Sequence, residues 1–240
     1  MHEFVLPFFI KKASKVRKEL IQHLKQFVTD NRLEVFEKVL NYRTRYITVA
    51  LEDIYQSQNA SAVLRTSDCF GLQDIHIIEN KNQYNINPDV ALGSSKWLNL
   101  KKYNGQENNT IEAINNLRGN GYRIVATTPH TKDVNLEDFD LTRGKVALFF
   151  GTELQGLSEL MIENADEYLK IPMYGFTESF NISVSAAIIL HHLTGKLRNS
   201  ELDWRINDCE KEELMFQWLK KTIKSSSMLI EEFLSKKNNN

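Results

Sequence analysis

The feature that most constrains the fold is an alternation of short apolar runs with longer amphipathic segments through the middle of the chain. Five of these runs are rich in β-branched and aromatic residues, which predicts strands. They are 46–54 ("YITVALEDI"), 74–79, 122–128, 145–150 and 167–173. Strands that alternate with helices at this spacing predict an α/β fold, in which a mostly parallel sheet is covered by helices on both faces.

Residues that start and stop helices lie between the predicted strands. The segment 59–71 ("NASAVLRTSDCFG") has a helical pattern, with Asn59 placed to cap its start and Gly71 placed to end it. After the last predicted strand, Ser179 and Asn181 precede a long apolar run. Their side chains can accept hydrogen bonds from the unpaired N–H groups of a helix start, so both are predicted to cap the helix that follows.

The two ends of the chain have helical patterns of their own. Residues 11–28 and 32–43 carry apolar side chains at helical spacing, and 210–234 reads as one further helix. We therefore expect a helical amino-terminal extension, an α/β domain and a helical carboxyl-terminal extension. Their predicted limits are 1–46, 47–195 and 196–240.

Charge is distributed unevenly along the chain. The net charge is −1, but 11–47 carries ten Lys and Arg residues against four acids, whereas 48–195 carries a net charge of −7. A basic segment beside an acidic body predicts binding of a polyanion such as RNA, and a solvated charged helix is the alternative. The candidate RNA-binding residues are Lys11, Lys12, Lys15, Arg17, Lys18, Lys196, Arg198 and Arg205.

The composition also argues against several classes of protein. Cys69 and Cys209 are far apart and provide neither a disulfide framework nor metal-ligand spacing. The basic residues near the start follow the first apolar run, which is the wrong order for a signal peptide. No stretch approaches the length of a membrane span. We expect a cytoplasmic protein with no membrane segment and no metal.

Polar segments follow three of the predicted strands at their carboxyl ends, where parallel sheets bind ligands. These segments begin with "TPH" (128–130), "GTELQG" (151–156) and "YGFTESFN" (174–181). "GTELQG" lacks the Lys-Ser/Thr pair of a phosphate-binding loop, and no G-x-G-x-x-G follows the first strand. A P-loop or Rossmann nucleotide site is therefore disfavoured, although a ligand site at this edge remains the expectation.

Four motifs, in order along the chain, resemble those of the SpoU family of RNA ribose 2′-O-methyltransferases. They are "NASAVLRTSDCFG" (59–71), "GSSKW" (93–97), "VALFFGTELQGLSE" (146–159) and "IPMYGFTESFNISVSAAIIL" (171–190). The resemblance extends from about Ile47 to Leu193, which makes it far more specific than one short motif. It implies a SPOUT-type α/β fold with a deep trefoil knot near the carboxyl end, and a homodimer whose active site uses both subunits.

The resemblance also implies an activity, which is methyl transfer from S-adenosylmethionine to a ribose 2′-hydroxyl of RNA. Short helical extensions without a separate amino-terminal RNA-binding domain are most similar to the members that methylate guanosine 18 of tRNA. One alternative is a sister enzyme that methylates ribosomal RNA or another tRNA ribose. Another is a non-catalytic RNA-binding dimer, which has no need of Asn59, Arg65, Glu153 and Asn181 together.

The residues at the family's functional positions follow from the same resemblance. The candidate catalytic residues are Asn59, Arg65, Glu153, Ser179 and Asn181. The candidate residues for binding the methyl donor lie on three loops, and they are Thr127, Thr128, Gly151, Gly156, Ile171, Met173, Phe180 and Asn181. The chain departs from the family pattern at two positions, with Phe180 where Leu is usual and Ser185 where Ala is usual. Neither departure removes a functional group.

The resemblance suggests roles for two charged residues. The family's arginine at the position of Arg65 has the proposed role of general base, but a guanidinium keeps its proton above a pH of about 12. We expect Arg65 to clamp the substrate phosphate and stabilise charge, and a surface salt bridge is the alternative. Glu153 is expected to hold the RNA or the partner's site, and the alternative is an acid stabilised by a helix amino terminus.

Overall fold

The computed structural model describes the backbone of residues 5–84, 91, 93–129, 133–152 and 155–238, with side chains in the first helix from Lys15 onward. The chain divides into two compact units. One comprises Thr44–Arg205, and the other combines Met1–Arg43 with Ile206–Asn240. No helix among the described residues is long and apolar enough to cross a membrane.

A seven-stranded parallel sheet forms the centre of the unit Thr44–Arg205 within the described part of the chain. Its strands are β1 (Ile47–Glu52), β2 (Asp74–Ile78), β3 (Asn99–Tyr103), β4 (Arg123–Thr127), β5 (Val134–Asn135), β6 (Val146–Phe150) and β7 (Glu167–Lys170). Their spatial order is β3-β2-β1-β6-β4-β7-β5. The five predicted strands are confirmed. The sequence analysis missed β3, which is largely polar and only partly buried, and β5, which has two residues.

Helices cover both faces of this sheet, as predicted. They are α3 (Ser57–Cys69), α4 (Asn109–Gly119), α5 (Glu159–Glu163) and α6 (Ile182–Arg198). Successive residues of a strand point to opposite faces, so Val49 and Leu51 pack into a core with α3 and α6, whereas Ala50 packs into a second core with α4 and α5. The α/β class is therefore confirmed, and the trefoil knot stays a prediction.

The ends of α3 test two predictions about capping. Gly71 follows the helix with a φ of +78°, and Leu72 N–H donates to the Ser67 carbonyl at 3.0 Å, so Gly71 ends the helix as predicted. The prediction for Asn59 is wrong. The helix begins at Ser57 after Gln56, and Asn59 lies inside its first turn, where its amide donates to Gln56 Oε1 at 3.2 Å.

The helices at the two ends of the chain form one unit. They are α1 (Val5–Lys25), α2 (Asp30–Leu40), α7 (Asp208–Thr222) and α8 (Ser226–Asn238). Within this unit α1 packs against α7 and α8, and α2 packs against α7. The Phe36 and Trp218 rings lie 5.5 Å apart in an edge-to-face arrangement, which places α2 on α7.

The prediction of a single helix over 210–234 is wrong, because the segment is divided between α7 and α8. Ile223 has an extended backbone, with φ −88° and ψ 112°. The Ser226 hydroxyl donates to the Lys220 carbonyl at 3.0 Å, so it occupies an acceptor at the end of α7. Serine side chains compete with the helical hydrogen-bond pattern in this way, and three of them occur in succession at 225–227.

A buried histidine in β2 makes stability depend on pH. His76 is 7% exposed, and its Nδ1 lies 2.9 Å from the Tyr103 hydroxyl. Burial lowers the pKa of His76 from 6.5 to about 4; Asp74 opposes this lowering and Lys101 adds to it. The unfolded chain therefore binds this proton more readily, and the free energy of unfolding falls as the pH decreases from about 6.5 to about 4.

Between pH 6.5 and pH 4, we expect the free energy of unfolding to fall by about 3 kcal/mol less in His76→Gln than in the original protein. The reason is that one pKa unit corresponds to about 1.4 kcal/mol. Urea unfolding of both proteins at pH 7, 6, 5 and 4 measures the effect. Burial would raise the pKa of Glu79, but its hydrogen bonds to Lys102, Tyr84 and Asn104 outweigh that effect and lower it. Protonation of Glu79 in acid therefore decreases the free energy of unfolding equally in both proteins. Parallel stability curves for the two proteins would contradict the prediction.

Candidate active site

A cavity of about 310 Å³ lies at the carboxyl ends of β6, β4 and β7, which are neighbours in the sheet. We call it the strand-end cavity. Its walls come from the three loops that follow these strands and from the start of α6. Seven predicted donor-binding residues line it, and they are Thr127, Thr128, Gly151, Gly156, Ile171, Met173 and Phe180. The sheet therefore brings together residues that are more than fifty positions apart in sequence.

The described lining of the strand-end cavity is uncharged. Side chains such as Phe150, Leu157 and Ile189 form apolar walls, and Ser179 and Ser185 add hydroxyl groups. The volume is within the range of clefts that bind small molecules. Within the described residues, no group of three or more His, Cys, Asp or Glu side chains could hold a metal ion.

The hydroxyl groups of the two threonines at the end of β4 are engaged by neighbouring groups. Thr127 Oγ1 donates to the Phe149 carbonyl of β6 at 2.7 Å, and the Thr128 hydroxyl donates to Asp133. Thr128 N–H donates to the Leu169 carbonyl of β7 at 3.0 Å. These bonds fix the floor of the strand-end cavity across three adjacent strands.

The loop after β6 closes tightly on itself. Thr152 and Gly156 exchange two backbone hydrogen bonds of 2.9 and 3.0 Å, and Gly156 has a φ of +69°. A Cβ atom on Gly151 would overlap the Gly156 carbonyl group and the Leu157 nitrogen. Geometry therefore requires glycine at both positions. Gly151 is required by the close approach of backbone, and Gly156 by its left-handed conformation. Glu153 lies outside the described residues.

Asn181 caps α6 and links it to α3. Its Oδ1 accepts hydrogen bonds from Ser183 N–H at 2.9 Å and from the Ser183 hydroxyl at 2.6 Å. Its amide donates to Asn59 Oδ1 at 3.2 Å, so the two candidate catalytic asparagines are in contact. The capping prediction is confirmed for Asn181 and wrong for Ser179, which precedes the cap by two residues and lines the strand-end cavity instead.

Arg65 is exposed on α3, six residues after Asn59, which corresponds to about 9 Å along the helix axis. It makes no hydrogen bond or ion pair with any residue that the structure describes. The alternative of a surface salt bridge therefore finds no support among these residues. A guanidinium in this state can bind an external anion with two parallel hydrogen bonds.

The candidate RNA-binding residues are distributed over both units. In the helical unit, Lys15 is exposed, Arg17 is half-buried and Lys18 pairs with Glu212 at 3.1 Å, whereas the side chains of Lys11 and Lys12 lie outside the described ones.

In the sheet unit, the three remaining candidates contact neighbouring groups. Lys196 Nζ donates to the Phe139 carbonyl at 2.7 Å, and the Arg198 guanidinium donates to the Phe70 carbonyl at 2.6 Å. Arg205 lies over the Trp204 ring, 4.4 Å from its centroid. RNA binding by these residues stays a prediction.

The sequence analysis missed two acidic residues at the end of β1. Glu52 is buried, and its carboxylate accepts hydrogen bonds from Ser158 and Thr110. Asp53 has a φ of +52° and accepts hydrogen bonds from the N–H groups of Asn80 and Lys81 at 2.7 and 2.8 Å. The available signal was their position, since two acids end a largely apolar run at the ligand-binding edge of the sheet.

Comparison with known proteins assigns the chain to a family. The model of the SpoU rRNA methylase family matches residues 46–191. A tRNA (guanosine(18)-2′-O)-methyltransferase of Borreliella burgdorferi is 50% identical over 202 residues, which cover 84% of this chain and 90% of that protein. The protein of the same description from Aquifex aeolicus is 32% identical over 169 residues, or 70% of this chain and 78% of that protein.

Solved structures agree with this assignment. The crystal structure of the A. aeolicus TrmH/SpoU tRNA modifying enzyme superposes with a TM-score of 0.72 at 27% identity, covering 81% of this chain and 98% of that one. The SpoU methyltransferase AviRb from Streptomyces viridochromogenes, in complex with AdoMet, shares the fold with a TM-score of 0.56 at 21% identity, covering 68% of this chain and 65% of that one. The motifs, the parallel sheet and the matched residues 46–191 lead to one conclusion: this chain belongs to the SpoU rRNA methylase family.

Proposed function

We propose that this protein transfers a methyl group from S-adenosylmethionine to the ribose 2′-hydroxyl of guanosine 18 in tRNA. The observation that carries the proposal is the strand-end cavity, which gathers seven candidate donor-binding residues. The relatives described as tRNA (guanosine(18)-2′-O)-methyltransferases, one of them 50% identical over most of both chains, support the choice of substrate.

The chemistry of the strand-end cavity suits S-adenosylmethionine. When bound, this cofactor supplies a methyl group on a sulfonium centre. The described lining carries no cationic side chain that would repel a positive charge, and its hydroxyl and backbone oxygens are acceptors. Apolar side chains such as Ile171 and Leu157 would contact the adenine, and the hydroxyls of Ser179 and Ser185 would bind polar groups of the donor.

The protein's remaining task is to position the acceptor and assist removal of its proton. Arg65 clamps the phosphate next to the target ribose and stabilises developing negative charge, because its guanidinium is exposed and its planar fork can bind two phosphate oxygens. The bond between Asn59 and Asn181 holds the helix that carries Arg65 against the start of α6. Glu153 is assigned to holding the RNA or the partner's site on the basis of the family resemblance.

The proposal includes a homodimer, in which a second copy covers the apolar surface around the start of α6. Tyr174, Phe176, Phe180 and Val184 are all exposed within eleven residues of sequence. Such a concentration of exposed apolar side chains is typical of an interaction surface. Since tRNA is the proposed substrate, the proposed location is the cytoplasm.

The test is methyl transfer in a purified system, with nucleoside mass spectrometry of the product. An unmodified tRNA that carries guanosine 18 should yield 2′-O-methylguanosine, and the same tRNA with 2′-deoxyguanosine at position 18 should yield none. A ribosomal RNA transcript is the comparison for the sister-enzyme alternative. Methylation of ribosomal RNA alone, or equal product from both tRNAs, would contradict the proposed substrate. Absence of any transfer in the presence of RNA binding would favour the non-catalytic dimer.

Binding of tRNA should depend on the basic residues of α1. The helical unit carries fifteen Lys and Arg residues against eleven acids, whereas the sheet unit has a net charge of −5, which is unfavourable for long-range attraction of RNA. We expect replacement of five residues by Gln to weaken tRNA binding strongly. They are Lys11, Lys12, Lys15, Arg17 and Lys18.

A salt titration of tRNA affinity measures this effect. The log–log slope should flatten by roughly 0.7–0.9 for each phosphate contact that is lost. The affinity for S-adenosylmethionine serves as the control and should not change, since no residue of α1 lines the strand-end cavity as described. An unchanged slope would mean that α1 is only a solvated helix.

A further inference from the structure

Both ends of the loop that follows β6 are attached to successive residues of β1. The loop (151–157) begins after Phe150, which is the register partner of Leu51 in the parallel pairing of β6 with β1. It ends before Ser158, which donates two hydrogen bonds to the carboxylate of Glu52. The first attachment is ordinary sheet pairing, and the second depends on one buried side chain.

The hydrogen-bond donors to Glu52 among the described residues are neutral. Glu52 is 3% exposed. Its Oε1 accepts from Thr110 Oγ1 at 2.6 Å and from the Ser158 hydroxyl at 2.8 Å, and its Oε2 accepts from Ser158 N–H at 2.9 Å. No Lys, Arg or His of the described residues forms an ion pair with it. Burying a carboxylate without a cation is costly, so this group is a poor choice for stability alone.

The bonds at Ser158 fix its position in two directions. Its hydroxyl donates to Glu52 and accepts from Met161 N–H at 3.1 Å, which caps the start of α5. Ser158 is also only two residues beyond Gly156, whose backbone closes the loop against Thr152. A shift of Ser158 would therefore move Gly156 and Leu157, both of which line the strand-end cavity.

We propose that Glu52 is a positioning residue for the methyl donor, which acts by holding the carboxyl-terminal end of the 151–157 loop against β1. This inference rests on the proposed function, because it assigns the loop to donor binding. Glu52 itself does not line the strand-end cavity as described, so its effect on the donor passes through Ser158.

Three variants separate this role from general stability. Glu52→Gln keeps the shape of the side chain but replaces one acceptor oxygen by an amide, so it cannot accept all three hydrogen bonds. Ser158→Ala removes the hydroxyl bond from the loop side. Thr110→Val is the matched control, because it removes the third bond to the same carboxylate from α4, away from the loop.

The measurement is the Kd of S-adenosylmethionine by calorimetry, at a temperature well below the Tm of every variant. We expect Glu52→Gln and Ser158→Ala each to raise Kd by tenfold or more. Thr110→Val should lower the Tm and change Kd by less than twofold. Glu52→Gln and Ser158→Ala break the same link. The Kd of the double variant should therefore be at most about twofold above the higher of the two single-variant Kd values.

Three results would overturn the inference. They are an unchanged Kd for Glu52→Gln, equal rises in Kd for Glu52→Gln and Thr110→Val, and fully additive losses in the double variant. Failure of the unmodified protein to bind S-adenosylmethionine would contradict the proposed function instead. The two failures are therefore distinguishable in one set of titrations.

Discussion

Arg65→Ala is expected to abolish methyl transfer to tRNA while leaving the affinity for S-adenosylmethionine within about twofold of the original. Arg65 is exposed on α3 and is absent from the described lining of the strand-end cavity, so its loss leaves the donor site intact. Its proposed contact is with the phosphate of the acceptor. Loss of a positioned charge that acts in the transition state costs several kcal/mol, which corresponds to a rate decrease of about a thousandfold.

Single-turnover kinetics and donor calorimetry on the same preparation test this prediction. Arg65→Lys is the matched variant, because it keeps the charge and loses the planar fork that binds two phosphate oxygens. It should recover only a small part of the activity. Near-normal turnover by Arg65→Ala would remove Arg65 from the catalytic assignment, and an equal loss of donor affinity would place it in the donor site.

Gly151→Ala is expected to weaken S-adenosylmethionine binding by about a hundredfold or more. The added Cβ atom would overlap the backbone of Gly156 and Leu157, and backbone cannot rotate away as a flexible side chain can. The 151–157 loop would have to open, which would separate residues that line two parts of the strand-end cavity. Calorimetry of donor binding, with the Tm of each variant measured in parallel, tests the prediction.

Gly119→Ala is the matched control for this substitution. No atom lies within 4 Å of the position that its Cβ would occupy, and its backbone does not require glycine. It should leave both Kd and Tm nearly unchanged. If Gly151→Ala binds S-adenosylmethionine as tightly as the original protein does, the loop adapts to the added Cβ atom. Its closed form is then not needed for donor binding.

The link between Asn59 and Asn181 would keep the proposed donor-binding and acceptor-binding residues in register. One asparagine begins the helix behind the strand-end cavity, and the other lies on the helix that carries Arg65. Their hydrogen bond joins residues 122 positions apart in sequence. Local patterns predicted both as caps because Asn is favoured at helix starts, and only Asn181 has that role.

Much of the sheet unit could be predicted from local patterns. The five apolar runs, the helix that ends at Gly71 and the cap at Asn181 each depend on interactions within a few residues, which is the range over which propensity and capping act. Of the eight donor-binding residues that the motif resemblance predicted, seven line one cavity and Asn181 does not. The choice of these residues came from the family resemblance, and the fold brings them together because the carboxyl ends of parallel strands share an edge.

The tertiary structure alone decided the remaining features. Nothing in the periodicity of the sequence places β1 beside β6, and without that neighbour Glu52 has no reason to meet Ser158, 106 residues away. The same holds for the terminal helices, whose patterns predict amphipathic faces but not that the two ends of the chain pack into one unit. Amphipathicity determines that a face is buried, whereas the partner is chosen by the fit of the whole fold.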